Sequence, residues 1–447
     1  MHKRHILSCF FALLLTAWSA SALAYTPPQA GDAAPQQAPG DDNPSSRAGL
    51  NHHGEIQVSE EYNDNVNDTN RPKADFVTVV SPALDLSYDG NRVKGSVSYH
   101  GELRLYNTGQ HENEMINTLD AKALAKLIEN TLVLDVSDQN AMVFRNVAQG
   151  TPTRADSTRN QVNQNIASVG LTLTPHIAER TNVSLGYRAT AALYGDREAP
   201  DTLTQIISLD VLHDLTPKAQ AGFGLQAERQ LVDTNGLRTL RHSNQGSVTR
   251  FTATLVGNYA YSPDGLVFCR IGAIHSLYDR GGTALYPTWS AGLTRTVSKV
   301  TFMLQTEADY ENDPSSASDV FRTTYTASAA YAFARGAVTL HAGYSEYFGS
   351  STHYSQDLTA GADISYDLTK RLKLSLGASR AGWDTNNSGP RGNPIRYYGN
   401  AELAYQLPKD FAVKLYYQGK ITPFHSSRRN GGGGNVNIIG LGISMAF

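Results

Sequence analysis

Few residues in this chain have both the type and the spacing for chemistry. His353-Tyr354-Ser355 places an imidazole and a hydroxyl at i and i+2, on one face of an extended strand, as a base and nucleophile would require. Arg241-His242-Ser243-Asn244 adds an amide but has the wrong spacing for the same face. Gln356 follows the first pair where an orienting Asn would be wanted. The expectation is therefore no enzyme and no cofactor. His52-His53 lacks a second ligand pair at metal-binding spacing. Glu60 to Asp68 (EEYNDNVND) gathers carboxylate and amide oxygens, yet it has neither the glycine nor the regular ligand positions of a calcium loop. No metal is expected.

The remaining candidates are charged and aromatic side chains that alternate with apolar ones. In the stretch 92–106, Val93, Val97, Tyr99, Leu103 and Leu105 share one face of a period-2 strand, while Lys94, His100, Glu102 and Arg104 share the other. Val300, Phe302, Leu304 and Tyr310 oppose Gln305, Glu307 and Asp309, and Phe411, Val413, Leu415 and Tyr417 oppose Lys414 and Tyr416. Arg396 and Tyr398 fall on a polar face in the same way. At the very end, Ile439, Leu441, Ile443, Met445 and Phe447 alternate with Gly440, Gly442, Ser444 and Ala446. A wall with one lipid face and one lumen face needs this pattern.

About 20 such strands fit the chain, with 18 as the other even count. They are separated by tight turns, among them Asp89-Gly90-Asn91, Val297-Ser298-Lys299 and Leu407 to Asp410. Longer polar loops alternate with these, near Asn65 to Ala74, Phe144 to Asn160, Val232 to Gln245, Asp384 to Pro394 and Thr422 to Gly434. The fold class expected is an all-β transmembrane antiparallel barrel, with short periplasmic turns and longer extracellular loops. Tyrosines near strand ends, including Tyr88, Tyr194, Tyr259 and Tyr331, are expected to form interfacial girdles.

The first residues suit this location. Lys3 and Arg4 precede an apolar run ending near Ala17, and Ala22-Leu23-Ala24 is a small-x-small cleavage pattern. The organisation expected is a signal peptide over 1–24, a disordered Pro-rich periplasmic arm over 25–49, and the barrel over 50–447. Cleavage removes Lys3 and Arg4 and no acid, moving the formal charge from −3 to −5, and nucleic acid is not an expected partner. Cys9 would leave with the signal, so Cys269 would have no internal disulfide partner.

A lumen of this width defaults to a hydrated channel. Its mixed charges predict weak ion selectivity, and inward Tyr286, Tyr398 and Tyr416 suggest stacking on sugar rings or anchoring of folded-in loops. Phe447 is the expected signal for the barrel-assembly machinery.

Glu61-Tyr62-Asn63-Asp64-Asn65-Val66, followed by Ser81-Pro82, resembles the start of outer-membrane barrels associated with PEP-CTERM and exopolysaccharide systems of Gram-negative bacteria. More widely, the mature chain is similar to the outer-membrane β-barrel porin superfamily. The resemblance implies an outer-membrane protein in contact with lipid and lipopolysaccharide, a passage for exopolysaccharide or other hydrophilic solutes, and polysaccharide-export proteins as partners. A non-conducting barrel whose extracellular loops bind polysaccharide is the alternative.

Overall fold

A computed structural model describes residues 49–447 except 70, 110, 146–151, 157, 159–160, 196–198, 234–246, 280, 314–317, 350–353, 386–394 and 423–433. The proposed signal peptide and nearly all of the proposed arm lie outside the described residues. So do His353 and the Arg241 to Asn244 motif.

The described chain is an antiparallel meander in which each strand pairs with its sequence neighbours, and the first pairs with the last. Strands β1 to β5 are Gly49–Asn63, Asp75–Asp89, Val93–Tyr106, Glu114–Ile128 and Leu132–Phe144. Then come β6 (Gln161–Leu173), the three-residue β7 (His176–Ala178), β8 (Thr181–Tyr194), β9 (Asp201–Thr216) and β10 (Ala219–Asp233). Strands β11 to β16 are Val248–Ser262, Gly265–Tyr278, Thr283–Val297, Val300–Asp313, Ser318–Phe333 and Gly336–Gly349. The last five, β17 to β21, are Tyr354–Asp367, Leu372–Thr385, Ile395–Gln406, Phe411–Ile421 and Val436–Ala446. Because β6 and β7 both pair with β8, they share one wall position, and the closed barrel has 20 strands.

Closure is what lets this sequence exist as one sheet. An open edge in hydrocarbon would leave a row of unsatisfied backbone groups, and the β1–β21 ladder from Glu55↔Ala446 to Asn63↔Ile438 removes it. Gly54 and Phe447 extend that ladder by exchanging backbone hydrogen bonds of 2.9 and 2.8 Å. The Phe447 ring occupies the space a Gly54 side chain would need. Outward residues are exposed aliphatics and aromatics, including Ile439, Leu441, Ile443 and Met445 on β21 and Phe223 and Leu225 on β10. A soluble protein would hide such a belt; lipid rewards it. No helix among the described residues is long and apolar enough to cross a membrane.

Turns at one end are tight, and several hold a residue in the left-handed region, with φ of 57° at Asn130, 58° at Ser298 and 63° at Lys409. Tyr88, Tyr259, Tyr331 and Tyr405 are exposed near this end and mark an interface there. Tyr194 is not part of a girdle: it is buried with Val162 and Ala199 at the loop end, because its register turns it into the lumen. Loops at that other end are strapped by polar contacts. Arg229 grips Asp279 through two hydrogen bonds of 2.7 and 2.6 Å. The guanidinium holds the Asp279 carboxyl below its ordinary range, so this contact is present near neutrality and is lost as pH falls through the lowered value.

One part of the wall departs from the regular pattern. The β13–β14 ladder runs from Val297↔Val300 only to Trp289↔Ala308, although both strands continue toward the loop end. There β13 keeps its pairing with β12, and β14 keeps its pairing with β15. Alternation puts Tyr310 and Phe321 on the outward face with Leu304, as the sequence suggests. Instead, Tyr310 lies 5.2 Å, ring to ring, from the lumenal Tyr286 and 5.0 Å below the Arg250 guanidinium. Phe321 stacks on Tyr286 at 5.4 Å. The loop ends of β14 and β15 are thus set inside the wall, with their outer face against the inner face of β11 to β13. Pro287, which has no N–H to give a neighbour, sits in the unpaired stretch of β13.

Candidate functional site

The residues that gather inside the barrel come from β1 to β4, from β19 to β21, and from the segment between β5 and β6. This segment turns inward instead of outward. Its Arg154 lies 2.6 Å from Glu61 on β1 and 3.2 Å from Glu102 on β3. The same guanidinium is 5.8 Å from the centre of the Tyr416 ring. Tyr416 is 7% exposed and donates its hydroxyl to Glu61, while Ser59 Oγ lies 2.9 Å from the same oxygen.

Two residues later, Asp156 is buried among three donors. Arg396 Nη1 and Lys420 Nζ each approach at 3.2 Å, and the Tyr398 hydroxyl donates at 3.2 Å. Lys420 has no exposed surface and is shared with Asp68 of the β1–β2 loop. Ala155 between these anchors packs on Val436 and Ile438 of β21. Thr158 donates to Glu114 on β4, which also accepts from Tyr106 at 3.2 Å and lies 3.4 Å from Arg104. The segment is therefore fixed by charge at both sides of a small apolar contact. Such pairs out of water hold because each ion has several partners.

The β1–β2 loop folds inward beside it. Val66 packs on Val77, Val79 and Tyr106, and Asn65 donates to the carbonyls of Thr69 at 2.8 Å and Asn435 at 2.9 Å. Asp64 takes both the backbone and side-chain N–H of Asn437, each at 2.7 Å. The acidic stretch from Glu60 to Asp68 thus spends its oxygens on separate protein partners rather than converging. Among the described residues no group of three or more His, Cys, Asp or Glu side chains could hold a metal ion.

In the observed register the ten lumen candidates alternate with the exposed apolar residues of their strands. Glu102, Arg104, Arg396, Tyr398 and Tyr416 belong to the loop-anchoring cluster. His100 stands one lumenal position before Glu102 on β3, toward the turn end, and is exposed. Lys414 bridges the closure seam to Glu55 at 2.7 Å and Gln57 at 3.0 Å. Glu307 pairs with Arg322 at 3.1 Å, and Asp309 stands opposite Arg322 in the ladder. Lys94 is an exposed residue near the turn end, paired with Asp89 at 2.8 Å. Tyr398 is tied through its hydroxyl to Asp156, and Tyr416 has the Arg154 guanidinium over its ring.

Periodicity missed Arg154, Asp156 and Asp68, because residues in loops carry no period to read. Nor does periodicity single out Lys420, whose weight comes from Asp68 and Asp156. Below the cluster, toward the turn end, Asp120, Lys122, Arg188 and Asp363 are exposed on the lumenal face. The exposed charges there are mixed in sign, and the ion pairs of the cluster gather above them.

No protein-family model matches this sequence. A search of curated proteins also finds no match. Solved structures give similarities of shape at 10% identity. The FrpB iron transporter of Neisseria meningitidis (F5-1 variant) has a TM-score of 0.48, over 88% of this chain and 82% of that one. A ferric enterobactin receptor (PfeA) of Pseudomonas aeruginosa has 0.49, over 90% and 82%. A loop-deletion form of OmpT, an outer membrane protein of Vibrio cholerae, has 0.36, over 90% and 99%.

Proposed function

We propose that this protein is an outer-membrane channel for hydrophilic solutes, with exopolysaccharide as the cargo class, and that residues 152–156 and 158 contribute its constriction. The observation that carries this reading is the lumen itself. Exposed charges of both signs line the turn-end half, and one inward segment, held by Glu61, Glu102, Arg396 and Lys420, narrows the loop-end half. A lumen meant only to be filled would bury apolar side chains. The association with exopolysaccharide rests on the resemblance at Glu61 to Val66 and Ser81-Pro82, and polysaccharide-export proteins are the partners it suggests.

Planar-bilayer recording tests the channel. Stable steps with weak preference for either ion are the expected result, since the cluster joins Arg104, Arg154, Arg396 and Lys420 to Glu61, Asp68, Glu102, Glu114 and Asp156. A purified, folded barrel that stays silent would instead favour a surface-binding barrel. That second reading draws on the way the two inward loops and the β14–β15 end crowd the extracellular mouth.

Outer-membrane lipid, lipopolysaccharide and the barrel-assembly machinery are the other partners in this reading. Deleting Phe447 removes the ring over Gly54 and both backbone hydrogen bonds to it. We expect severalfold less heat-modifiable barrel in the outer-membrane fraction, with refolding in detergent less affected. Gly54→Val, which displaces the ring but keeps the terminus, separates loss of the signal from loss of the contact. Normal assembly of the truncated chain would remove Phe447 as a signal.

A further inference from the structure

We propose that the unpaired stretch between β13 and β14 is a lateral binding port for an acyl-chain amphiphile, its tail outside the wall and its head at the interruption. Three observations meet there. The ladder stops at Trp289↔Ala308 while both strands run on, and Pro287 withholds a donor from the exposed edge. The β14–β15 end is displaced inward, so Tyr310 and Phe321 rest on Tyr286 and the ladder is interrupted beside a cluster of aromatic rings.

Directly below the interruption, on the outer surface, lies a shallow groove of about 620 Å³. Ala291, Leu293, Leu304, Tyr325, Ala327 and Leu358 contribute to its almost wholly apolar lining. Thr306, which also lines it, accepts a hydrogen bond from the Trp289 indole at 3.0 Å. At this depth the solvent is hydrocarbon, so the groove suits a chain of methylenes.

The third observation is polar. Thr323 Oγ1 is shut off from solvent and makes no hydrogen bond, and the buried Ser276 Oγ and Tyr310 Oη have only each other nearby. Ser276 is wholly buried on the inner face of β12, and Thr323 stands opposite Ala308 at the last paired row. Buried hydroxyls without partners are rare and mark a place for an absent polar group. An amphiphile serves both halves: its tail fills the groove, and an ester or hydroxyl head reaches the hydroxyls. A second barrel docked on the groove would leave those hydroxyls unserved, and a hydrophilic solute would leave the groove empty.

Native mass spectrometry of the intact barrel with 1-palmitoyl lysophosphatidylethanolamine is the test, read alongside hydrogen exchange. One lipid per barrel should survive detergent removal, and Ala327→Phe, which fills the groove, should cut the retained fraction at least tenfold. Lipid should also slow amide exchange in 283–288 and 309–313 of the unmodified protein severalfold, which requires no variant to fold. Heat-modifiable mobility checks that Ala327→Phe is a barrel, and Ala291→Val is a milder version of the same change. Equal, multiple adducts on both proteins would mean annular lipid only, and barrel pairs without lipid would mean a second copy is the occupant. Either result, or exchange unchanged by lipid, overturns the proposal.

Discussion

Asp156→Ala should give larger single-channel steps than the unmodified barrel, with noisier traces. The substitution removes the carboxylate that Arg396, Tyr398 and Lys420 share, leaving Lys420 with Asp68 alone. Breaking a buried ion pair from one side costs about 3–5 kcal/mol. At ~1.4 kcal/mol per decade, this shifts the balance of docked to undocked segment by roughly two to three and a half decades. What remains is the Arg154 anchor, the Thr158 contact and the small patch at Ala155. Lys420→Met at the same site should behave differently. It leaves Asp68 and Asp156 facing each other without their shared cation, and should open the β1–β2 loop as well. Asp120→Asn, an exposed lumenal change at mid-height on β4 and outside the cluster, is the matched control and should leave step size nearly unchanged. If Asp156→Ala conducts as the parent does, the segment is not the constriction.

Leu441→Arg is expected to have the largest effect on stability. Leu441 lies at the middle of β21, is 57% exposed, and faces outward between Ile439 and Ile443. An arginine on the lipid face at the bilayer midplane costs about 2–4 kcal/mol, falling toward zero at the interfaces. Equilibrium unfolding in lipid vesicles should therefore show a loss of this size for Leu441→Arg, and a much smaller one for Met445→Arg, nearer the turn end. In a detergent that lets the side chain reach water, the difference should shrink. Equal losses at the two positions would contradict the depth assigned to this strand.

The wall was legible in the sequence because a barrel strand repeats every two residues and shows its lipid face in plain text. The run from Ile439 to Phe447 and the alternation around Glu102 needed nothing else. Legibility failed wherever side-chain direction stopped following strand parity. Tyr310 has the parity of Leu304, yet the ladder break at Ala308 puts it against Arg250 inside the wall. Pro287 was the available clue, since a proline within a strand marks an edge or an interruption. The site was less legible than the wall. Arg154 and Asp156 find their partners on strands far away in sequence, and only the closed ring brings β1, β3, β19 and β20 around one loop.

The seam between β1 and β21 sets an order of events. Asp64 meets Asn437 across 373 residues of chain, and Asp156 reaches Lys420 across 264. Neither contact has a local precursor, and long-range pairing must bear its loop-closure cost before any reward. Translation from the amino terminus delivers β21 last, so nothing that depends on the ring can form while the ribosome is still working. The inward segment must wait outside until the hoop shuts. Closure is thus the commitment step of folding: it turns a set of hairpins into a vessel, and only then is there an inside for Asp156 to enter.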